Sequence, residues 1–167
     1  MITPFEDRAR AFAQHAHGAQ KYGQEPYIVH LAAVRSVLAE YRYTGDVLVA
    51  AWLHDTLEDT KTTFKQLQAA FGQQVAMLVA SVTNGPGKNR RERNEMVYQR
   101  LRAQPAAIPL KLADRIANMR ASLKNNPELL VMYQREYLDF KGALYPHSDD
   151  CPMWRELDTL AAAGRPS

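Results

Sequence analysis

Apolar residues recur at three- and four-residue spacing through almost the whole chain, and no stretch sustains a period-two alternation. Phe5, Ala9, Phe12, Ala13 and Ala16 form one stripe. It is opened by Thr3-Pro4-Phe5-Glu6, a capping box with proline at the first helical position. Gly18 to Pro26 interrupts as a loop carrying Lys21, Tyr22 and Glu25. His30, Val34, Val37, Leu38 and Tyr41 then share a face of a second helix, with His30 near its start. Thr44-Gly45-Asp46 begins a central helix expected to run unbroken over 47–59. Thr63-Phe64-Lys65-Gln66 is another capping box, and Gly72 is a natural stop for the short helix it opens. Val75 to Val82 stays apolar until Asn84-Gly85-Pro86-Gly87 breaks it. Pro105 and Pro109 frame a second break, followed by a helix over 110–120 with Leu112, Ile116 and Met119 inward. Asn126-Pro127 caps a long helix to about Tyr145, and Trp154, Leu157 and Leu160 mark a last one that closes the core. The pattern predicts an all-α fold, a single compact helical bundle over residues 1–163 with a disordered tail over 164–167.

Composition narrows the class. A chain of 167 residues with 46% hydrophobic content fits one domain with a sizeable core. A net charge of +3 and a pI near 9.0 suit a small anionic ligand. No Arg/Lys run with interleaved aromatics tracks a nucleic-acid strand, so nucleic acid is not an expected partner. Cys151 is the only cysteine, which excludes an intrachain disulfide and a thiolate zinc site and reads as an inert thiol in a reducing compartment. The N-terminus alternates charged and apolar residues from Phe5 onward and lacks the apolar core of a signal peptide. No run approaches the roughly 20 apolar residues of a membrane span. A soluble cytoplasmic protein is the expectation.

The chemistry concentrates in one stretch. Ala50-Ala51-Trp52-Leu53 runs straight into His54-Asp55, followed by Glu58-Asp59, so an imidazole and three carboxylates crowd one end of a buried helix. The helix dipole opposes negative charge there, and a cation among the acids relieves it. His30, and Asp114 beside the stripe of its own helix, are ligand-type residues at the edge of other apolar faces. His30, His54, Asp55 and Asp114 thus come from three helices, as bundle metal sites do. Two imidazoles and two carboxylates suit Mn²⁺, with Mg²⁺ or Fe²⁺ as alternatives, better than a closed zinc site. His15 and His17 read as ordinary histidines rather than ligands. Lys88-Asn89-Arg90-Arg91-Glu92-Arg93 packs four cations at a helix start, where the dipole disfavours them unless an anion offsets them.

Three motifs now stand in order: Glu25-Pro26-Tyr27-Ile28-Val29-His30, then Leu53-His54-Asp55-Thr56-Leu57-Glu58-Asp59-Thr60, then Lys111-Leu112-Ala113-Asp114-Arg115-Ile116-Ala117-Asn118-Met119-Arg120. They resemble the H…HD…D signature of the HD-domain metal-dependent phosphohydrolases. The wording is similar to the hydrolase domain of RelA/SpoT-type (p)ppGpp hydrolases and their small single-domain relatives. That resemblance implies one Mn²⁺ held by His30, His54, Asp55 and Asp114, with Glu58 and Asp59 positioning or activating the attacking water. It places Asn118 near the nucleotide sugar and phosphate. It also implies a cytoplasmic (p)ppGpp 3′-pyrophosphohydrolase, an alarmone hydrolase of the stringent response, acting without a synthetase domain. Substrate contacts are expected from Lys21, Tyr22, Lys88, Asn89, Arg90, Arg93, Arg115 and Asn118. The chain departs from the family where a guanine-stacking arginine precedes the first histidine: Lys21 or Tyr22 stands near that place. Leu31 replaces the usual proline after His30. A nucleoside monophosphatase, an NADPH 2′-phosphatase and a non-catalytic nucleotide sensor remain open beside the leading reading.

Overall fold

After its first residue, Asp46-Val-Leu-Val-Ala-Ala-Trp-Leu53 is apolar on every face, and a helix of that composition is stable only when surrounded. In the computed structural model, which describes residues 2–148 and 151–164, this helix α3 (Asp46–Leu53) lies inside the molecule, and Leu48 to Leu53 are all buried. The expectation for 165–167 falls outside the described residues. Packed around α3 are α1 (Pro4–His17), α2 (Ile28–Glu40) and α6 (Gln73–Val82). A second axis, α8 (Ile108–Asn125), packs on α2, α9 (Pro127–Leu144) and α10 (Met153–Ala162). Leu31 and Leu38 of α2, Leu53 of α3 and Leu112, Ile116 and Met119 of α8 are fully buried in one continuous core. The expected all-α architecture is what the chain adopts, and α2 joins the two axes.

Local sequence fixes the ends. Thr3 accepts from the Glu6 backbone N–H while Glu6 returns a bond to the Thr3 N–H. Thr63 and Gln66 do the same at the start of α5 (Phe64–Phe71). Asn126 accepts from Leu129 N to open α9. At the end of α2, Tyr43 N–H bonds Leu38 O and Arg42 N–H bonds Ala39 O, a Schellman turn whose left-handed position (φ 63°) holds Arg42 rather than glycine.

Three expectations are corrected. The central helix is not continuous over 47–59: it ends at Leu53, and a separate turn, α4 (Thr56–Asp59), follows. The break is stabilised by side chains that satisfy the terminal carbonyls of α3. His54 Nδ1 donates to Ala51 O at 2.9 Å and Thr56 Oγ1 to Leu53 O at 2.7 Å. Within the 18–26 loop, β1 (Lys21–Tyr22) and β2 (Glu25–Pro26) pair antiparallel across a two-residue turn. Gly23 supplies its positive φ of 61°. Finally, Pro109 lies in the first turn of α8, where its missing N–H costs nothing, so that helix begins two residues before the expected 110 and runs to 125. Among the described residues no helix is long and apolar enough to cross a membrane.

Candidate metal centre

The α3–α4 break decides where His54 and Asp55 point. Consecutive residues of a continuous helix do not face each other. Here His54 caps α3 and Asp55 precedes α4, and His54 Nε2 lies 3.0 Å from Asp55 Oδ2. The first turn of α2 adds His30, whose Nε2 is 3.5 Å from Asp55 Oδ2. From α8, Asp114 Oδ1 approaches His30 Nε2 at 3.4 Å and His54 Nε2 at 3.7 Å. Ligand atoms of His30, His54 and Asp55 all lie within 4.8 Å of one another, so these three side chains could hold a metal ion.

The donor set suits a divalent cation. Both histidines are buried, and His54 Nε2, 3.0 Å from Asp55 Oδ2, makes no well-directed hydrogen bond among the described residues. With Nδ1–H committed to Ala51 O, that nitrogen faces the cluster and is the one that would give up its proton to a bound metal, the arrangement of a metal-ligating imidazole. Asp55 Oδ2 accepts from the Tyr27 hydroxyl at 2.7 Å, and Asp114 Oδ2 accepts from Lys111 Nζ at 3.2 Å. Burial opposes ionisation of His54, but the charge of Asp55 and contacts with both aspartates outweigh it and hold its pKa well above the ordinary value. For His30, burial is again outweighed, here by bonds to Asp114 and Asp55, and the shift is upward. Burial pulls both aspartates up, yet Asp55 stays below its usual range through the charge of His54 and its close contacts with both imidazoles, and Asp114 does so through Lys111 and the same imidazoles. The centre of the cluster therefore favours positive charge, which protons on the imidazoles or a divalent cation supply.

A cavity of about 290 Å³ opens over the cluster, its walls almost wholly polar. Glu58 and Asp59 stand on its rim. Glu58 accepts from Asn84 through both oxygens, from the backbone N–H at 2.9 Å and from Nδ2 at 2.8 Å. Asp59 Oδ2 accepts from Gln20 Nε2 at 2.8 Å. Tyr22 is stacked on His30, ring centroids 4.6 Å apart, and donates to Asn118 Oδ1 at 2.8 Å. Asn118 Nδ2 in turn reaches Asp114 Oδ1 at 2.6 Å. Burial and the neighbouring Tyr133, Asp114 and Asp55 push the Tyr22 phenol up to about 12, so it remains a donor.

Of the residues expected from sequence to contact substrate, Tyr22, Arg90, Arg115 and Asn118 line this cavity, whereas Lys21, Lys88, Asn89 and Arg93 do not. Lys21 donates to Gln24 O on its own hairpin. Asn89 caps α7 (Arg90–Ala103) by accepting from Glu92 N, and Arg93 bonds Gly87 O. Of the cations at this helix start, Arg90 is offset from within the protein. Glu92 accepts only the backbone N–H of Lys88, whereas Glu136 of α9 accepts from Arg90 Nε at 2.5 Å and from Arg115 at 3.1 Å. Arg115 is buried between the rings of Tyr133 and Phe140, 4.7 and 4.6 Å away. Lys111, Tyr133, Asn84 and Tyr27 also line the cavity and were not expected there. Lys111 and Tyr27 stood inside the quoted motifs, but Tyr133 and the Glu136 that anchors Arg90 carry no local signal.

Comparison with known proteins agrees with this geometry. A family model described as HD domain matches residues 9–140. A protein of Aquifex aeolicus named guanosine-3′,5′-bis(diphosphate) 3′-pyrophosphohydrolase is 42% identical over 118 residues, covering 68% of this chain and 17% of that protein. The Escherichia coli K12 protein named bifunctional (p)ppGpp synthase/hydrolase SpoT is 34% identical over 145 residues, 82% of this chain and 21% of the relative. The chain thus spans about a fifth of the length of these relatives. A solved structure described as a metazoan ortholog of SpoT that hydrolyzes ppGpp shares the fold. Its TM-score is 0.78 at 24% identity, covering 96% of this chain and 95% of that one.

Proposed function

Because the chain belongs to the HD domain family, its model matching residues 9–140, we propose that this protein is a Mn²⁺-dependent phosphohydrolase that removes the 3′-pyrophosphate of (p)ppGpp. The observation that carries the reading is the convergence of His30, His54, Asp55 and Asp114 on one point beneath a polar cavity rimmed by Glu58 and Asp59. These four residues are the ligands we assign. The relatives whose names mention (p)ppGpp hydrolysis supply the substrate.

A divalent ion bound there lowers the pKa of its water and polarises a phosphoryl oxygen. The chain's own groups do the rest. Among the described residues Asp59 has one oxygen bonded to Gln20 and the other uncommitted, and a carboxylate so placed can take a proton from water. Glu58 spends both oxygens on Asn84 and so fixes the 84–87 loop at the cavity edge. Lys111 and Arg90 are the cations at the wall best placed to meet phosphate oxygens. Tyr22 and Asn118 present a ring and an amide to the nucleoside. Beyond Tyr22 lies a second hollow of about 620 Å³, walled by Val29, Ala121 and Leu129, which offers the base an apolar surface.

The test is direct. Purified protein with Mn²⁺ is expected to release pyrophosphate from ppGpp, and His54→Ala or Asp55→Ala to abolish the release. Release of orthophosphate from a nucleotide panel, with ppGpp untouched, would replace this substrate by a monophosphate or NADPH. Tight nucleotide binding without turnover would make the protein a sensor.

A further inference from the structure

His17, the last residue of α1, is buried although it is not one of the assigned ligands. Its ring stacks on Tyr27 with centroids 4.5 Å apart and planes 24° from parallel. Its Nδ1 is 2.8 Å from Gln20 Oε1, while its Nε2 is buried without a partner among the described residues. Gln20 Nε2 then donates to Asp59 Oδ2 at 2.8 Å. The backbone of Gln20 is held at both ends, its N–H on His17 O at 3.0 Å and its carbonyl accepting from Tyr27 N at 3.1 Å. From this chain we propose that His17 and Gln20 are positioning residues that fix the orientation of the Asp59 carboxylate. The proposal rests on the reading above that Asp59 takes the proton of the attacking water.

The hydrogen-bond logic leaves one consistent arrangement. An ionised carboxylate only accepts, so Gln20 must turn its NH₂ towards Asp59. Its Oε1 then faces His17, and the imidazole must carry its proton on Nδ1. The other tautomer would bury an N–H with no acceptor, which is the costlier orphan. It would also bring lone pair against lone pair at Gln20. Each link therefore fixes the next, and the chain is anchored in the buried end of α1. Asp59 itself is exposed at the last position of α4, a single turn that is packed through the buried Thr56 and half-buried Leu57 rather than through Asp59. With Oδ2 bound to Gln20, Oδ1 is the oxygen left to face water at the rim.

Two substitutions separate positioning from packing. His17→Phe keeps the ring on Tyr27 and removes the N–H. His17→Asn sacrifices the ring but keeps an N–H donor bonded to Cγ, as Nδ1 is. At saturating Mn²⁺ and ppGpp, His17→Phe and Gln20→Ala are expected to lower kcat about 10–100-fold, with KM little changed, the scale of losing a group that orients a site residue. His17→Asn is expected to recover kcat to within about threefold of the parent on the same scale. A fully active His17→Phe, or an Asn variant as impaired as the Phe one, overturns the proposal in favour of simple packing. A second readout needs no turnover: the Gln20 side-chain amide signals in an ¹⁵N correlation spectrum, identified by their loss in Gln20→Ala. They are expected to move in both Asp59→Asn and His17→Phe. Signals that ignore His17→Phe overturn the relay, whereas a wild-type protein inert towards ppGpp overturns only the proposed function.

Discussion

Tyr27→Phe isolates one bond at the metal centre. The hydroxyl donates to Asp55 Oδ2 at 2.7 Å, and burial together with Asp55 drives its pKa far upward, so it stays a neutral donor at any working pH. Phenylalanine keeps the stack on His17 and removes only the oxygen. Two effects compete. Losing a donor makes the carboxylate a more basic ligand, but it also frees Asp55 to rotate. Orientation dominates where a ligand has one anchoring bond. Removal of such a partner typically weakens metal binding about 10–100-fold, or about 1.4–2.7 kcal/mol. Under saturating metal, stabilisation follows RT ln(1 + [L]/Kd), so the Mn²⁺-dependent gain should shrink by that same ~1.4–2.7 kcal/mol. For a chain of this size, a change of 1 kcal/mol shifts Tm by about 2–4 °C, which makes the predicted loss about 3–11 °C of the metal-induced rise. The assay is paired thermal unfolding of wild type and Tyr27→Phe, metal-free and at fixed Mn²⁺, backed by calorimetric titration. An unchanged rise, with unchanged titration affinity, would show that Tyr27 does not orient Asp55 and would refute the reasoning.

Three further outcomes follow from other parts of the molecule. Glu136→Gln leaves both Arg90 and the buried Arg115 without a carboxylate, whereas Arg115→Met leaves Glu136 still paired with Arg90. Breaking a buried pair costs about 3–5 kcal/mol, so urea unfolding should show Glu136→Gln as clearly the more damaging change, and equal losses would deny the bridge. Arg42→Gly relieves a left-handed residue at an exposed helix end and should raise stability by about 0.5–1 kcal/mol in the same assay, although glycine's freedom in the unfolded chain offsets part of the gain. Without metal, the raised His30 and His54 stabilise the fold fully below their unfolded value of 6.5 and lose that contribution as pH rises through their folded values. The lowered Asp55 and Asp114 contribute above 3.8 and lose it as pH falls through their folded values. Because bound metal must displace the imidazole protons, the Tm difference between loaded and metal-free protein should widen as pH rises above the unfolded value of 6.5 and through the raised folded values. A gap that narrows would contradict the sign.

What could be read in the sequence was local or periodic. The capping boxes at Thr3 and Thr63 and the Asn126 cap each rest on residues three apart, and they form as read. The helical stripes placed the core of α2 and α8 because burial follows the same period. What escaped was set by contacts between distant segments. The four cations at 88–93 invite an external anion, but the counter-charge for Arg90 lies 46 residues away at Glu136, on a helix face that carries no mark of it. Tyr133 is hidden for the same reason. Nothing in the pattern of α1 tells its buried His17 from its exposed His15, since their difference arises from Tyr27 and Gln20 folding back over one of them.

The continuous helix expected over 47–59 was in conflict with the chemistry read from the same residues. Neighbours in an α-helix project about 100° apart, so His54 and Asp55 could not both turn to one ion from an unbroken helix. One of two expectations had to fail, and apolar periodicity could not say which, because the run from Val47 to Leu53 is helical either way. The resolution lies in the short polar side chains at the junction. His54 and Thr56 satisfy the last carbonyls of α3 themselves, which removes the penalty for stopping the helix inside the core. The same bond from His54 Nδ1 directs its Nε2 at the cluster. The backbone break and the ligand geometry are thus one feature, and a substitution such as Thr56→Val, which keeps the shape but removes the bond to Leu53 O, should disturb both. Weaker Mn²⁺ binding alongside a loss of about 1–3 kcal/mol in metal-free stability is the expected pairing. Loss of stability with metal affinity intact would separate the two and show that the cluster is positioned by packing alone.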